Sequence, residues 1–254
     1  MLFRSGPHPD ICRCLAQIDC ITSALSFQVA TWYNLNGDER MRMRKKPNLI
    51  PRMERCASVL EPAPETKKGH WLDCAPDCTQ VMAELGCGKG RFTAETAAQE
   101  PGVLLCAVER VADAMVVAME RTCAADLHNV LFLCQDVSRL GDFFAPGELS
   151  RIYINFCDPW LHTRHHKRRL TAPSFLTLYR TVLAPGGEIW FKTDNTDLFE
   201  WSLEQFAECG WELREVTRDL HADGPVGIMT DYEAKFYDQG IPICRCVAVR
   251  PTAG

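Results

Sequence analysis

Four carboxylates follow one another along the chain, each at or just beyond the end of a short apolar run: Glu84, Glu109, Asp136 and Asp158. A single acidic residue at such a place commonly caps a helix or fills a turn. If the apolar runs are neighbouring parallel strands, however, their carboxyl ends meet at one edge of a sheet, where α/β proteins bind ligands. Four carboxylates in succession therefore favour a binding crevice over four unrelated caps.

A glycine loop follows the first of these runs, with the sequence Glu84-Leu-Gly-Cys-Gly-Lys-Gly90. Its glycines, Gly86, Gly88 and Gly90, allow a sharp backbone turn and the close approach of a ligand. The G-x-G-x-G spacing differs from the G-x-G-x-x-G of loops that bind a dinucleotide pyrophosphate, which disfavours a nicotinamide-dependent dehydrogenase. An acidic residue just before the loop suits a ligand with a cationic amino-acid portion better than a phosphate.

The next two carboxylates fit the rest of such a ligand. Glu109 is placed to accept hydrogen bonds from both ribose hydroxyls of a nucleoside, and Asp136 from an adenine amino group. A nucleoside that has no phosphates but carries a positive charge is S-adenosylmethionine, which the sequence predicts as the cofactor. No metal is expected, because the cysteines do not form a pair of C-x₂-C motifs.

The fourth carboxylate is followed by a dense basic run. Asp158 lies in the string Asn155-Phe-Cys-Asp-Pro-Trp160, and the basic run begins four residues later. Its members are Arg164, His165, His166, Lys167, Arg168 and Arg169. The whole chain has a net charge of −5, so this positive charge is local. A solvated surface is the alternative interpretation, but a basic stripe beside a carboxylate and an aromatic ring favours contact with a nucleic-acid backbone.

Two further polar clusters are expected near the mouth of the same crevice. Asp194 ends the fifth apolar run within a Thr-Asp-Asn string. Thr230, Asp231, Tyr232 and Glu233 precede the last run. Both clusters also have a simpler interpretation as turn and capping residues, and Thr-x-x-Glu is the pattern of a helix capping box.

The apolar runs and amphipathic segments predict the scaffold that positions these residues. From Val81 onwards strands alternate with helices at a spacing typical of right-handed βαβ units. Predicted strands span 81–85, 103–108, 130–133, 152–156, 188–192, 211–219 and 243–249, and predicted helices span 92–99, 112–125, 175–183 and 198–209. The fold class is therefore α/β, with a seven-stranded, mostly parallel sheet and helices on both faces.

The 254 residues divide into three segments. We expect residues 1–40, which lack clear periodicity, to be a disordered extension or a misassigned start. Residues 41–80 lead into the core, and residues 81–254 form the main domain. No apolar run is long enough to span a membrane, and no secretory signal is present. The fourteen cysteines are scattered rather than arranged as a disulfide scaffold, which suits a reducing compartment and a cytoplasmic location.

Over residues 41–250 the sequence resembles the bacterial tRNA (guanine-N7-)-methyltransferase family. The resemblance rests on E-L-G-C-G-K-G, on N-F-C-D-P-W followed by R-H-H-K-R-R-L, on F-K-T-D-N, and on T-D-Y-E-A-K-F with G-I-P-I downstream. It implies a Rossmann-like class I methyltransferase that transfers a methyl group from S-adenosylmethionine to N7 of a guanine in tRNA, in the variable loop. The implied partner is tRNA, with no membrane, and the implied state is a monomer or homodimer.

The resemblance also implies roles for individual residues. Asp158 is implied as the catalytic residue and, with Glu84, Glu109 and Asp136, as a cofactor contact. Substrate contacts are implied for His162, Asp194, Thr230, Asp231, Tyr232 and Glu233, and RNA contacts for Arg164, His165, His166, Lys167, Arg168 and Arg169. His162 is a departure, because family members usually carry lysine there, and imidazole is only partly charged near neutrality.

Two other classes of protein remain as alternatives. A methyltransferase of the same fold that acts on a small molecule or a protein would bind the cofactor but leave the basic run unexplained. A non-catalytic RNA-binding module that kept the fold would need a disrupted cofactor loop, whereas Gly86, Gly88 and Gly90 are all present.

Overall fold

Seven β-strands form one sheet in the computed structural model, which describes residues 47–252. The strands are β1 (Gln80–Leu85), β2 (Val103–Val108), β3 (Val130–Leu133), β4 (Leu149–Asn155), β5 (Leu183–Thr193), β6 (Glu212–Thr217) and β7 (Cys244–Val249). Their order is β3-β2-β1-β4-β5-β7-β6. Only β7 runs against its neighbours, since it pairs antiparallel with both β5 and β6. The predicted seven-stranded, mostly parallel sheet is confirmed.

Helices cover both faces of this sheet, as predicted. They are α1 (Leu49–Arg55), α2 (Arg91–Gln99), α3 (Ala112–Ala124), α4 (Leu140–Phe143), α5 (Pro173–Val182), α6 (Thr196–Glu208) and α7 (Asp231–Asp238). Strand side chains alternate between two cores because their period is two. Leu104 and Cys106 pack with residues of α5 and α6, whereas Ala107 on the same strand packs with residues of α1 and α3.

Several predicted boundaries differ from the observed ones. Helix α5 begins at Pro173, earlier than predicted, because proline is well suited to the first helical position. Strand β5 begins at Leu183 instead of Glu188. The strand therefore includes the Pro-Gly-Gly sequence at 185–187, which lies between the predicted helix and strand, and Leu183 already pairs with Leu149 of β4. A Cβ atom on Gly187 would lie 2.8 Å from the Ala184 carbonyl oxygen, so this close backbone approach requires glycine.

The segment before β1 is attached to the core. Helix α1 buries Met53 among side chains of α3, and the Glu61 N–H donates to the Phe132 carbonyl of β3 at 3.0 Å. The part of this segment before residue 47, including the basic cluster from Arg40 to Lys46, lies outside the described residues, as do residues 1–40. Every cysteine within residues 47–252 is a free thiol. None of the helices in that range is both long and apolar enough to cross a bilayer.

Candidate active site

A crevice of about 690 Å³ opens at the carboxyl edge of the sheet, a volume that suits a small-molecule ligand. It lies between β1 and β4, where the strand order reverses: the chain continues from β1 to β2 and β3 on one side, and β4 lies on the other side of β1. The seven residues predicted to contact the cofactor all line it: Glu84, Gly86, Gly88, Gly90, Glu109, Asp136 and Asp158. The four carboxylates of the strand-end argument thus lie at one crevice, together with the three glycines of the loop.

Glu84 is buried at the floor of the crevice, next to the last residue of β4. Thr93 Oγ1 donates to its carboxylate at 2.5 Å and Asn155 Nδ2 at 3.3 Å. Burial raises the pKa of Glu84 to about 7, against the opposing effect of these two hydrogen bonds. The Asn155 Oδ1 atom is also buried, and no hydrogen-bond donor from residues 47–252 reaches it. Two acceptors side by side, one of them unsatisfied, suit a ligand ammonium group.

The three glycines of the loop, Gly86, Gly88 and Gly90, have positive φ angles of 80°, 55° and 72°. Residues other than glycine rarely adopt positive φ angles. Their surroundings differ. Nothing lies within 4 Å of a Cβ atom built on Gly86 or Gly88, so both face open space. A Cβ atom on Gly90 would lie 2.4 Å from the Cβ of Ala118 in α3. Gly86 and Gly88 leave room for a ligand, whereas Gly90 allows α2 to pack against α3.

The carboxylates after β2 and β3 also hold the backbone around them. Glu109 accepts hydrogen bonds from the Val111 N–H at 2.8 Å and the Gly88 N–H at 3.1 Å, which ties the glycine loop to β2. Burial raises the pKa of Glu109, and these backbone hydrogen bonds oppose the shift. Asp136 accepts from the Ser138 N–H at 2.9 Å and so caps a short 3₁₀ helix. The capping role and a position in the crevice coexist at Asp136.

Asp158 lies in a strained loop that follows β4. Phe156 and Trp160 have φ angles of 53° and 41°, and each such residue costs of the order of 1–3 kcal/mol. The Phe156 N–H is fixed by a 2.9 Å hydrogen bond to the Lys192 carbonyl of β5. Asp158 itself is exposed to the crevice, and within residues 47–252 no donor makes a hydrogen bond to its carboxylate. The loop thus presents a free carboxylate.

The basic run forms a 3₁₀ helix over Thr163–Arg168 at one side of the crevice. Lys167 and Arg168 line the crevice, and the Arg168 guanidinium carbon lies 5.0 Å from the centre of the Trp160 ring. Three other residues of the run are at least partly exposed but do not line the crevice: Arg164, His165 and His166.

Arg169 differs from the rest of the run because it is only 4% exposed. Its Nε atom donates to the Pro159 carbonyl at 2.8 Å, and its guanidinium carbon lies 4.6 Å from the centre of the Trp201 ring. Burial lowers its pKa. The prediction of a direct RNA contact is corrected here, because this guanidinium faces the protein.

Two predicted substrate residues lie outside the lining of the crevice. His162 is exposed and precedes the 3₁₀ helix, with its ring 5.9 Å from that of His165. Asp194 is exposed directly after β5. A substrate contact at either residue therefore requires a ligand that extends beyond the crevice.

The cluster before β7 is divided between the crevice and the core. Thr230, Asp231 and Tyr232 line the crevice, and the Tyr232 side chain is 65% exposed. Asp231 also forms an ion pair with Arg121 of α3 at 3.2 Å. The capping-box interpretation is confirmed, since the Thr230 side chain accepts from the Glu233 N–H and the Glu233 side chain from the Thr230 N–H.

Glu233 itself is fully buried and does not line the crevice. Its carboxylate accepts hydrogen bonds from Lys192 Nζ at 2.6 Å and from the Thr230 N–H at 3.1 Å. His221 Nε2 lies 3.0 Å from the other oxygen, and His221 Nδ1 accepts from the Val226 N–H, so the ring proton lies on Nε2. The prediction that Glu233 contacts substrate is corrected, because its oxygens already bind these groups.

Sequence reasoning missed three residues that shape the site: Asn155, Lys192 and His221. The first two lie inside strings that had been singled out, N-F-C-D-P-W and F-K-T-D-N. A polar residue at the end of an apolar strand was the available signal at Asn155. Nothing in the local sequence of His221 indicates that it meets Glu233.

A model of a family described as a putative methyltransferase matches residues 78–246. The chain is 44% identical over 209 residues to a tRNA (guanine-N(7)-)-methyltransferase of Halalkalibacterium halodurans, covering 82% of this chain and 95% of that protein. It is 42% identical over 212 residues to the enzyme of the same name from Geobacillus kaustophilus, covering 83% and 98%. The chain belongs to the tRNA (guanine-N7-)-methyltransferase family. The predicted family resemblance is confirmed.

Solved structures support the Rossmann-like class I methyltransferase fold of this family member. The 16S rRNA methyltransferase KamB superimposes with a TM-score of 0.56 at 16% identity, covering 72% of this chain and 93% of that one. A 16S rRNA (adenine(1408)-N(1))-methyltransferase from Catenulisporales acidiphilia gives 0.54 at 13% identity, covering 72% and 91%. Similarity at this level of identity establishes the fold alone.

Proposed function

We propose that the chain transfers a methyl group from S-adenosylmethionine to N7 of a guanine in tRNA, in the variable loop by family resemblance. The observation that carries the proposal is a single crevice in which the acidic strand ends, the Asp158 loop and the basic side chains of Lys167 and Arg168 adjoin. The partner is tRNA, and we expect the enzyme to act in the cytoplasm as a monomer or homodimer.

The crevice suits S-adenosylmethionine. Glu84 and the unsatisfied Oδ1 of Asn155 would accept from its ammonium group, and Glu109 from its ribose hydroxyls. Asp136 would accept from the adenine amino group, and the open space over Gly86 and Gly88 admits the amino-acid portion. When bound, the cofactor supplies a methyl group that its sulfonium has already activated.

The guanine makes modest demands on the protein. Its N7 atom carries an in-plane lone pair and no proton at neutral pH, so no general base is required. What the chain must provide is orientation, and this contributes several kcal/mol. Methylation leaves positive charge on the purine, which makes the N1–H and exocyclic amine better donors. A carboxylate that accepts from this edge binds more tightly as the charge develops. Asp158 lines the crevice and can accept from this edge, whereas Asp194 lies outside it and Glu233 is buried. Asp231 also lines the crevice, but it forms an ion pair with Arg121.

Cofactor binding should depend on pH through Glu84. Its pKa of about 7 means that a cationic ligand meets a protonated carboxyl in acid, so affinity should fall as the pH drops below about 7. We expect the association constant to decline by up to about tenfold per pH unit between about pH 7 and pH 5.5, and calorimetric titration would measure it. Glu84→Gln should bind the cofactor more weakly and with a flatter pH profile. Because Glu109 is unchanged in this variant, the comparison separates the effect of Glu84 from that of Glu109. An unchanged profile in that variant would remove Glu84 from ammonium binding.

The basic side chains at the crevice should act on tRNA affinity. Arg168→Ala is expected to weaken binding and to reduce the slope of log affinity against log salt by roughly one, as expected for one lost phosphate contact. Filter binding over a range of salt concentrations would measure both. The matched control is Arg214→Ala, which removes an exposed arginine of β6 outside the crevice. Equal slopes in the two variants would mean that Arg168 only faces solvent.

The proposal is tested by incubating the purified protein with labelled S-adenosylmethionine and an unmodified tRNA transcript. Label in the RNA is expected. Label that enters only a small molecule or a protein would favour the same-fold alternative, and cofactor-independent RNA binding without any transfer would favour the non-catalytic one.

A further inference from the structure

Arg169 is set apart from the basic run to which it belongs. The five preceding residues are at least partly exposed, whereas Arg169 is nearly enclosed. A buried guanidinium normally pairs with a carboxylate, because desolvating its charge is costly. Within residues 47–252 its side-chain hydrogen bond runs instead to a backbone carbonyl, that of Pro159. An arginine that is buried to hold one carbonyl indicates that the position of this carbonyl matters.

Pro159 is the residue directly after Asp158, and its environment explains why an external donor is needed. Proline has no N–H, so its carbonyl is the one backbone hydrogen-bonding group it offers. The following residue, Trp160, has a φ of 41°, a conformation that persists only where its surroundings impose it. At the other end of the loop the Phe156 N–H is held by the Lys192 carbonyl at 2.9 Å. The carboxylate of Asp158 therefore lies between two anchored ends.

The guanidinium is itself held from a different element. Its guanidinium carbon lies over the Trp201 ring of α6, and the His166 ring packs against the same indole at a centroid distance of 5.5 Å. The Arg169 N–H donates to the His166 carbonyl at 3.0 Å. Arginine suits this place because its guanidinium is planar, stacks on aromatic rings and remains charged. The ammonium of lysine is charged as well, but it is not planar and does not stack.

We propose that Arg169 is a positioning residue that fixes the Asp158 loop through the Pro159 carbonyl, rather than a ligand for tRNA phosphate. This rests on the proposed function, because the loop matters only if Asp158 acts on the substrate. It predicts that loss of the guanidinium changes the rate of methyl transfer and leaves tRNA affinity nearly unaltered, the opposite of what a phosphate contact does.

The test compares Arg169→Ala and Arg169→Lys with Arg168→Ala and Arg214→Ala. We expect both Arg169 variants to bind S-adenosylmethionine with near wild-type affinity and to keep the salt slope of tRNA binding. Their single-turnover rate at saturating tRNA should fall roughly 10- to 100-fold, the scale of a small misplacement of a catalytic group. Arg168→Ala should instead change affinity and slope. A lower slope in the Arg169 variants, or an unchanged rate, would overturn the proposal, as would loss of cofactor binding in both, which would make Arg169 a folding residue only.

Chemical rescue provides a second readout. Guanidinium ion added to Arg169→Ala, well below concentrations that unfold proteins, should occupy the space over Trp201, donate to the Pro159 carbonyl and restore part of the rate. Sodium chloride at the same concentration controls for ionic strength, and Arg168→Ala should not be rescued. Failure of guanidinium to restore the rate, or an equal restoration by sodium chloride, would count against the proposal. Absence of tRNA methylation by the unaltered protein would instead refute the proposed function.

Discussion

Asp158→Ala is expected to lower the rate of methyl transfer by roughly 100- to 1,000-fold, the effect of removing one preorganised group that stabilises developing charge. The carboxylate is exposed to the crevice and free of hydrogen bonds from residues 47–252, so it is available to accept from the guanine edge. Because it makes no hydrogen bond with the described part of the chain, its removal should leave the thermal unfolding midpoint within a few degrees of the wild-type value. Single-turnover assays at saturating tRNA and cofactor would measure the rate.

Two variants sharpen this experiment. Asp158→Asn keeps the size of the side chain but removes its charge, and it should recover little of the lost rate if charge stabilisation is the cause. Asp77→Ala removes an exposed carboxylate that precedes β1, at the opposite edge of the sheet, and serves as the matched control. A near-normal rate in Asp158→Ala, with tRNA and cofactor saturating, would exclude Asp158 from the mechanism.

Glu233→Ala is expected to lower the free energy of unfolding by about 3–5 kcal/mol, because it leaves the ammonium of Lys192 buried without its partner. Lys192 is nearly enclosed, and burial lowers its pKa against the opposing effect of Glu233. The same substitution removes the acceptor for His221 and one half of the capping box of α7. Urea denaturation monitored by tryptophan fluorescence would measure the change.

The control for this prediction is the neighbouring ion pair. Asp231 and Arg121 are both more than a third exposed, so Asp231→Ala should cost about 1 kcal/mol or less. The double variant Lys192→Met with Glu233→Leu removes both charges and should recover much of the stability lost by Glu233→Ala alone. A loss of under about 1 kcal/mol in Glu233→Ala would contradict a structural role and reopen the possibility of a substrate contact.

The sequence predicted the scaffold well because its signals are local. An apolar run of four to six residues between turn signals, followed by an amphipathic segment, is sufficient to predict a βαβ unit. All seven strands were found, six of them within three residues of their expected bounds, and β5 begins five residues earlier than expected. Helix α7 was missed as an element although its capping box was recognised. Its residues Asp231–Asp238 have few apolar positions, so hydrophobic periodicity gave little signal there.

In the candidate site, too, the residues that could be predicted are those with a local signal in the sequence. The strand-end carboxylates could be brought together in advance, since the geometry of a parallel sheet places carboxyl ends at one edge. Arg169 and Glu233 were misjudged because charged residues are assumed to be exposed unless a partner is visible. Their partners are Trp201, 32 residues further along the chain, and Lys192, 41 residues before Glu233. Burial of this kind depends on tertiary packing and leaves no mark in the local sequence.

The most direct test of the central claim is the identity of the methylated nucleoside. Unmodified tRNA transcript is incubated with the protein and labelled S-adenosylmethionine, digested to nucleosides and separated by mass. The proposed chemistry predicts 7-methylguanosine, and it predicts no product when the transcript is made with 7-deazaguanosine, which has a carbon in place of N7. Label in any other nucleoside, or equal incorporation into the 7-deazaguanosine transcript, would contradict it.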